Sequence, residues 1–116
     1  MPAAPRELEL VHGTLDLLIL KTLSWGPMHG LAVLKWIERT TNQRLQIEEG
    51  ALYPALHRLE EKHWLDAEWG HTDVGRRAKF YRLTAAGRRE LTARLVNWAR
   101  YSEAVGMVIA ATRGQS

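Results

Sequence analysis

The sequence predicts a mainly α protein with one β-hairpin inserted before its last helix. Three observations carry that prediction. Apolar residues recur at helical spacing in three segments before residue 63. Residues 64–69 then switch to alternation, followed by a polar turn holding two glycines and by an extended run with Phe80 and Tyr81. From Thr84 onward a stripe with spacings of four and three returns. The 116 residues suit one domain, small enough for a partner chain to complete its core. A composition of 46% hydrophobic and 25% charged residues is that of a folded chain and excludes disordered and low-complexity classes.

Each element has its own signal. Residues 1–7 carry two prolines and read as a flexible N-terminal arm. A first helix starts between Leu8 and Thr14 and runs to Leu23. Leu15, Leu18, Ile19 and Leu23 form one apolar stripe, and Leu17 and Leu20 add a second face that asks for a second partner. Gly26-Pro27 stops it. A second helix spans about His29 to Thr41, with Val33, Leu34 and Ile37 inward and Lys35, Glu38 and Arg39 outward. A third reaches from near Glu49 to about Lys62, with Leu52, Leu56 and Leu59 inward and Tyr53, His57 and Glu61 on the opposite stripe. Because proline is best tolerated in a first turn, Pro54 moves the expected start toward Ala51. Strands follow at Trp64–Trp69 and Ala78–Leu83, joined by a basic turn. Thr84 is a good N-cap for the last helix, whose stripe runs through Leu91, Leu95, Trp98, Val105 and Ile109.

Several function classes drop out. No apolar run approaches the ~18 to 20 residues of a membrane span, the longest being Ala104–Ala111. Met1–Pro5 is too short for a signal peptide, so the expected location is the cytoplasm. With no cysteine there are no disulfides or thiol chemistry. His12, His29, His57, His63 and His71 lack metal-binding spacing, and no phosphate-cradling glycine loop or catalytic triad stands out, so neither a cofactor nor a metal nor an enzymatic activity is expected.

Charge is distributed unevenly. Residues 49–70 carry two basic and five acidic groups, a net −3; residues 71–94 carry seven basic and two acidic groups, a net +5. A local +5 in a chain of net +3 is either a polyanion footprint or a solvated surface. Three helices followed by a two-stranded hairpin is the order of a winged helix-turn-helix, here with an added C-terminal dimerisation helix. The implied organisation is a DNA-binding unit over 8–84 and a dimerisation helix with a short tail over 85–116. A helix fits the major groove, where base edges carry a donor and acceptor code, and a wing reaches the adjacent backbone.

The same residues carry a resemblance. His29-Gly30, the run from Glu49 through Tyr53-Pro54 to Glu60, and Arg76 to Thr84 are similar to the PadR family of bacterial transcriptional regulators over about residues 10–111. The single last helix resembles the short subfamily. The resemblance implies a homodimeric DNA-binding repressor, often relieved by a small hydrophobic effector. Where the family often has Ser or Thr before Leu52-Tyr53-Pro54, this chain has Ala51. Any hydroxyl contact is then lost, and the Gly50 and Ala51 amides are expected to meet phosphate.

On this reading the DNA-binding residues are His29, Gly30, Gly50, Ala51, Tyr53, Pro54, His57, Arg58, Arg76, Arg77 and Lys79. Tyr53 and His57 either bond phosphates or base edges or pack on the wing. Arg58 either reaches the DNA or pairs with Glu61. Asp73 is the only obvious local partner for Arg76, Arg77 and Lys79. Arg82 either touches DNA or pairs across the hairpin with Glu68. Leu17, Leu20, Leu91, Leu95, Trp98, Val105 and Ile109 form the expected dimer interface. Trp98 meeting its own copy either anchors that interface or sandwiches a flat aromatic effector, a use of this helix that the resemblance supports. Asp16 either lines the same cavity or stabilises the start of its helix. Trp25, Trp36, Trp64 and Trp69 read as packing residues. The competing function is a protein-interaction module on the same scaffold, suggested by the acids of residues 49–70.

Overall fold

The structure, a computed structural model, describes residues 13–114. The expected arm, any part of the first helix before residue 13, and the last two residues lie outside the described residues. Four helices and a three-stranded antiparallel sheet follow in the order α1 (Thr14–Leu23), β1 (Met28–His29), α2 (Gly30–Thr40), α3 (Glu49–Glu61), β2 (Leu65–His71), β3 (Arg77–Leu83) and α4 (Ala85–Ala110).

The core gathers one face from each element: Ile19 and Leu23 of α1, Val33 and Ile37 of α2, Leu52, Leu56 and Leu59 of α3, Leu65 and Tyr81 of the sheet. Burial of these side chains supplies the main driving force. The sheet order is β1-β3-β2, and β2 pairs with β3 from Leu65↔Leu83 to His71↔Arg77. Alternation sends Ala67, Trp69, Arg77, Lys79 and Tyr81 to one face and Asp66, Glu68, Phe80 and Arg82 to the other.

Four expectations change. The hairpin is joined by a third, two-residue strand, in which Met28 pairs with Tyr81 and His29 with Phe80. The strands run further than expected, leaving only residues 72–76 as the turn, with Gly75 at φ 80. Helix α3 begins at Glu49 rather than near Ala51, and Pro54 lies inside it. Pro54 and Gly50 are both exposed, so the amide that proline removes from the ladder is lost at the surface rather than in the core. Leu20 and Leu91 are not interface residues. They are 0% and 6% exposed, packed in the protomer's own core.

Chain reversals are locally determined. Helix α3 ends in a Schellman arrangement, with Trp64 N–H donating to Leu59 and His63 N–H to Glu60, and His63 at φ 62. Thr84 caps α4 as expected, accepting from the Gly87 amide at 2.9 Å and donating to the His63 carbonyl at 2.7 Å. A Cβ on Gly87 would lie 2.1 Å from the Trp64 carbonyl oxygen, so only glycine lets α4 leave the wing at this angle. Beyond Leu91, α4 carries no buried residue.

Candidate nucleic-acid interface

Helix α3 turns Leu52, Ala55, Leu56 and Leu59 into the core and leaves Gly50, Ala51, Tyr53, Pro54, His57 and Arg58 exposed. The start of α2 fixes one flank. A Cβ on buried Gly30 would lie 2.7 Å from the Tyr53 ring, so the absence of a side chain at Gly30 lets that ring seat against α2. His29 caps α2: its Nδ1 accepts the Ala32 amide at 3.2 Å, and its ring meets Phe80 edge-on at 5.5 Å. That amide is therefore not free for a phosphate. Nor is the Ala51 amide, which donates to the Glu48 carbonyl at 2.9 Å. Gly50, in the first turn, has no intrahelical acceptor for its N–H.

The ion pairs differ from those the sequence suggested. Arg58 is held by Asp16 of α1, not by Glu61; Glu61 instead meets His57 Nε2 at 2.9 Å. Asp16 also lies 4.0 Å from Arg94 of α4, so one carboxylate ties three helices. Lys79 is bound by Glu60 of α3 at 2.9 Å, which fastens the wing to α3. The Glu60 hydrogen bond raises the Lys79 pKa. Arg82 pairs with its cross-strand partner Asp66, not with Glu68. Asp73 forms no ion pair among the described residues.

Arg76 and Arg77 are the wing cations that no carboxylate claims among the described residues. With His29, Tyr53, Trp69 and Lys79 they border a cleft of about 530 Å³ between α3 and the wing. Lys35 and Arg39 stand exposed on the outer face of α2 beside His29, an extension of the basic rim that the sequence reading left unassigned.

A second concavity of about 640 Å³ lies between α1 and α4, lined by Leu17, Arg94, Asn97, Trp98 and Tyr101 among others. Trp98 and Tyr101 lie 6.2 Å apart with a tilt of 37°. Asp16 does not line this groove; its carboxylate is spent on Arg58 and Arg94. Leu95, Trp98, Val105 and Ile109 are exposed, and Leu17 is half-buried.

An exposed helix beside a basic three-stranded wing defines a winged-helix protein of the DNA-binding type. The profile of the PadR-like transcriptional regulator family matches residues 19–93. An uncharacterized protein of Lysinibacillus sphaericus is 30% identical over 99 residues, covering 85% of this chain and 91% of its own. A PadR family transcriptional regulator from Eggerthella lenta superposes with a TM-score of 0.75 at 31% identity, covering 86% of this chain and 85% of that one. A transcriptional regulator from Clostridium thermocellum superposes with a TM-score of 0.72 at 26% identity, covering 78% of this chain and 88% of that one. The chain belongs to the PadR-like family: it is a DNA-binding transcriptional regulator and not an enzyme. No helix among the described residues is long and apolar enough to cross a membrane.

Proposed function

We propose that the protein is a homodimeric repressor of the PadR type, whose α3 enters the major groove while the wing grips the backbone. Residues 8–84 act as the DNA-binding unit and 85–116 supply dimerisation. The observation that carries the DNA reading is the cleft between α3 and the wing, bordered by exposed Tyr53 and by Arg76 and Arg77, which have no acidic partner among the described residues. Tyr53 and His57 are the α3 groups directed at DNA, joined at the rim by Gly50 and Pro54. The protein-interaction alternative loses part of its basis, because Glu60 and Glu61 are already paired with Lys79 and His57.

Dimerisation is supported by the exposed apolar residues of α4, which a second copy would cover through Leu95, Trp98, Val105 and Ile109, with Leu17 at the edge. The α1–α4 groove would then face its symmetry mate, and a flat aromatic effector would lie against Trp98. Such an effector and DNA weaken each other's binding by the same factor.

The test is an anisotropy titration of Tyr53→Ala and Arg77→Ala against duplex DNA from upstream of the gene. Tyr53→Ala is expected to weaken binding by about tenfold or more. Arg77→Ala weakens it on every sequence and flattens the salt dependence by about 0.9 in log–log slope. Both variants binding like the parent protein would refute these contacts.

A further inference from the structure

The wing holds its cations in two different ways. Carboxylates neutralise Lys79, through Glu60, and Arg82, through Asp66. Arg77 is restrained without being neutralised. Its guanidinium carbon sits 4.3 Å from the centre of the Trp69 ring, and it forms no ion pair among the described residues.

The hairpin register produces this contact. Trp69 stands directly across from Lys79 and His71 across from Arg77, so Trp69 and Arg77 are diagonal neighbours on the same face of the sheet. Trp69 is 57% exposed, so it contributes little to the core. Both residues border the cleft beside Tyr53. A guanidinium held over an aromatic ring by its charge is not neutralised by it, and its N–H donors stay available for two phosphate oxygens. An unrestrained arginine would lose its side-chain freedom on binding; one already stacked has lost part of it beforehand.

We propose that Trp69 is a positioning residue for DNA binding: its ring holds the Arg77 guanidinium at the cleft, ordered and still fully charged, for a backbone phosphate. The proposal rests on the wing gripping the DNA backbone, and the test separates the two. Affinity and salt dependence are measured for a mixed-sequence duplex, which reports phosphate contacts without base readout. Trp69→Leu keeps an apolar side chain in the strand but removes the π face; Trp69→Phe keeps a weaker π face. Each is made alone and with Arg77→Ala, and thermal unfolding is followed in parallel.

Trp69→Leu is expected to weaken binding about two- to fivefold, the range of an exposed cation–π contact. Its salt slope should match the parent protein, because Arg77 still meets its phosphate. Trp69→Phe should restore part of the loss. In the Arg77→Ala background Trp69→Leu should change affinity no further. An equal loss in that background, a loss that tracks a fall in melting temperature, or no loss from Trp69→Leu while Arg77→Ala weakens binding would each overturn the positioning role. If Arg77→Ala itself leaves affinity and slope unchanged, the wing's grip on the backbone fails first and the positioning role falls with it.

Discussion

From Ile19 to Leu91 nearly every large aliphatic residue finds cover inside one protomer; from Leu95 to Ile109 none among the described residues does. Leu52, Leu56 and Leu59 are 0% exposed, whereas Val108 and Ile109 are 77% and 79% exposed on the same chain. The shape follows. The described molecule extends over 61 × 40 × 21 Å, and its radius of gyration is 17.2 Å. A compact chain of this length would have roughly 13 Å. The winged-helix body closes its own core; the distal half of α4 is an arm whose apolar side chains lack a counterpart among the described residues. In the proposed dimer this apolar surface is where the second copy sits. The body's stability and the arm's association should therefore respond to different mutations.

The largest effect is expected in the body. Leu56→Ala leaves a cavity among α1, α2 and α3 and should cost about 2–5 kcal/mol of unfolding free energy, read by chemical denaturation. A loss below about 1 kcal/mol would mean that this core is loosely packed. The complementary change is Val105→Asp with Ile109→Asp. It should leave the circular dichroism of the body intact and raise the dimer dissociation constant at least tenfold, about 1.4 kcal/mol, in sedimentation experiments. A variant that stays dimeric would show that α4 is not the interface.

A smaller effect separates the two regions by pH. Hydrogen bonding to Glu60 raises the Lys79 pKa, and burial raises that of Tyr81. In the unfolded chain Lys79 loses its proton near 10.5 and Tyr81 near 10.0, before either does so in the fold. Stability from both is therefore complete below pH 10 and is lost as pH rises through the folded values. The Lys79–Glu60 pair is about one-third exposed and contributes at most about 1 kcal/mol. Both groups lie in the body, so the alkaline loss in urea melts should not depend on protein concentration. Tyr81→Phe should make it shallower; an unchanged alkaline limb would contradict the assignment.

The body was largely legible because local rules decide it. Thr84 caps α4, α1 ends at Leu23, and α3 buries the predicted Leu52, Leu56 and Leu59. Most of what was missed depends on contacts distant in sequence. Strand β1 is two residues long, too short for any periodicity, and exists because β3 arrives beside it. Reading along the chain offered Arg58 to Glu61 and left Lys79 with Asp73. The fold gives Arg58 to Asp16, 42 positions away, and Lys79 to Glu60. Periodicity also cannot say which chain covers an apolar residue, which is why Leu20 and Leu91 looked like interface positions. In the site, exposure of Tyr53 and His57 was readable from the stripe opposite Leu52, Leu56 and Leu59. The spent amides of Ala32 and Ala51 were not, because they depend on a His29 rotamer and on the Glu48 carbonyl.

The most direct test of the account is the salt dependence of binding to DNA from upstream of the gene, measured by anisotropy beside a scrambled duplex. Log K should fall linearly with log salt, by about 0.9 for each phosphate contact, with tighter binding to the native sequence. A flat salt dependence with equal affinity for both duplexes would contradict it.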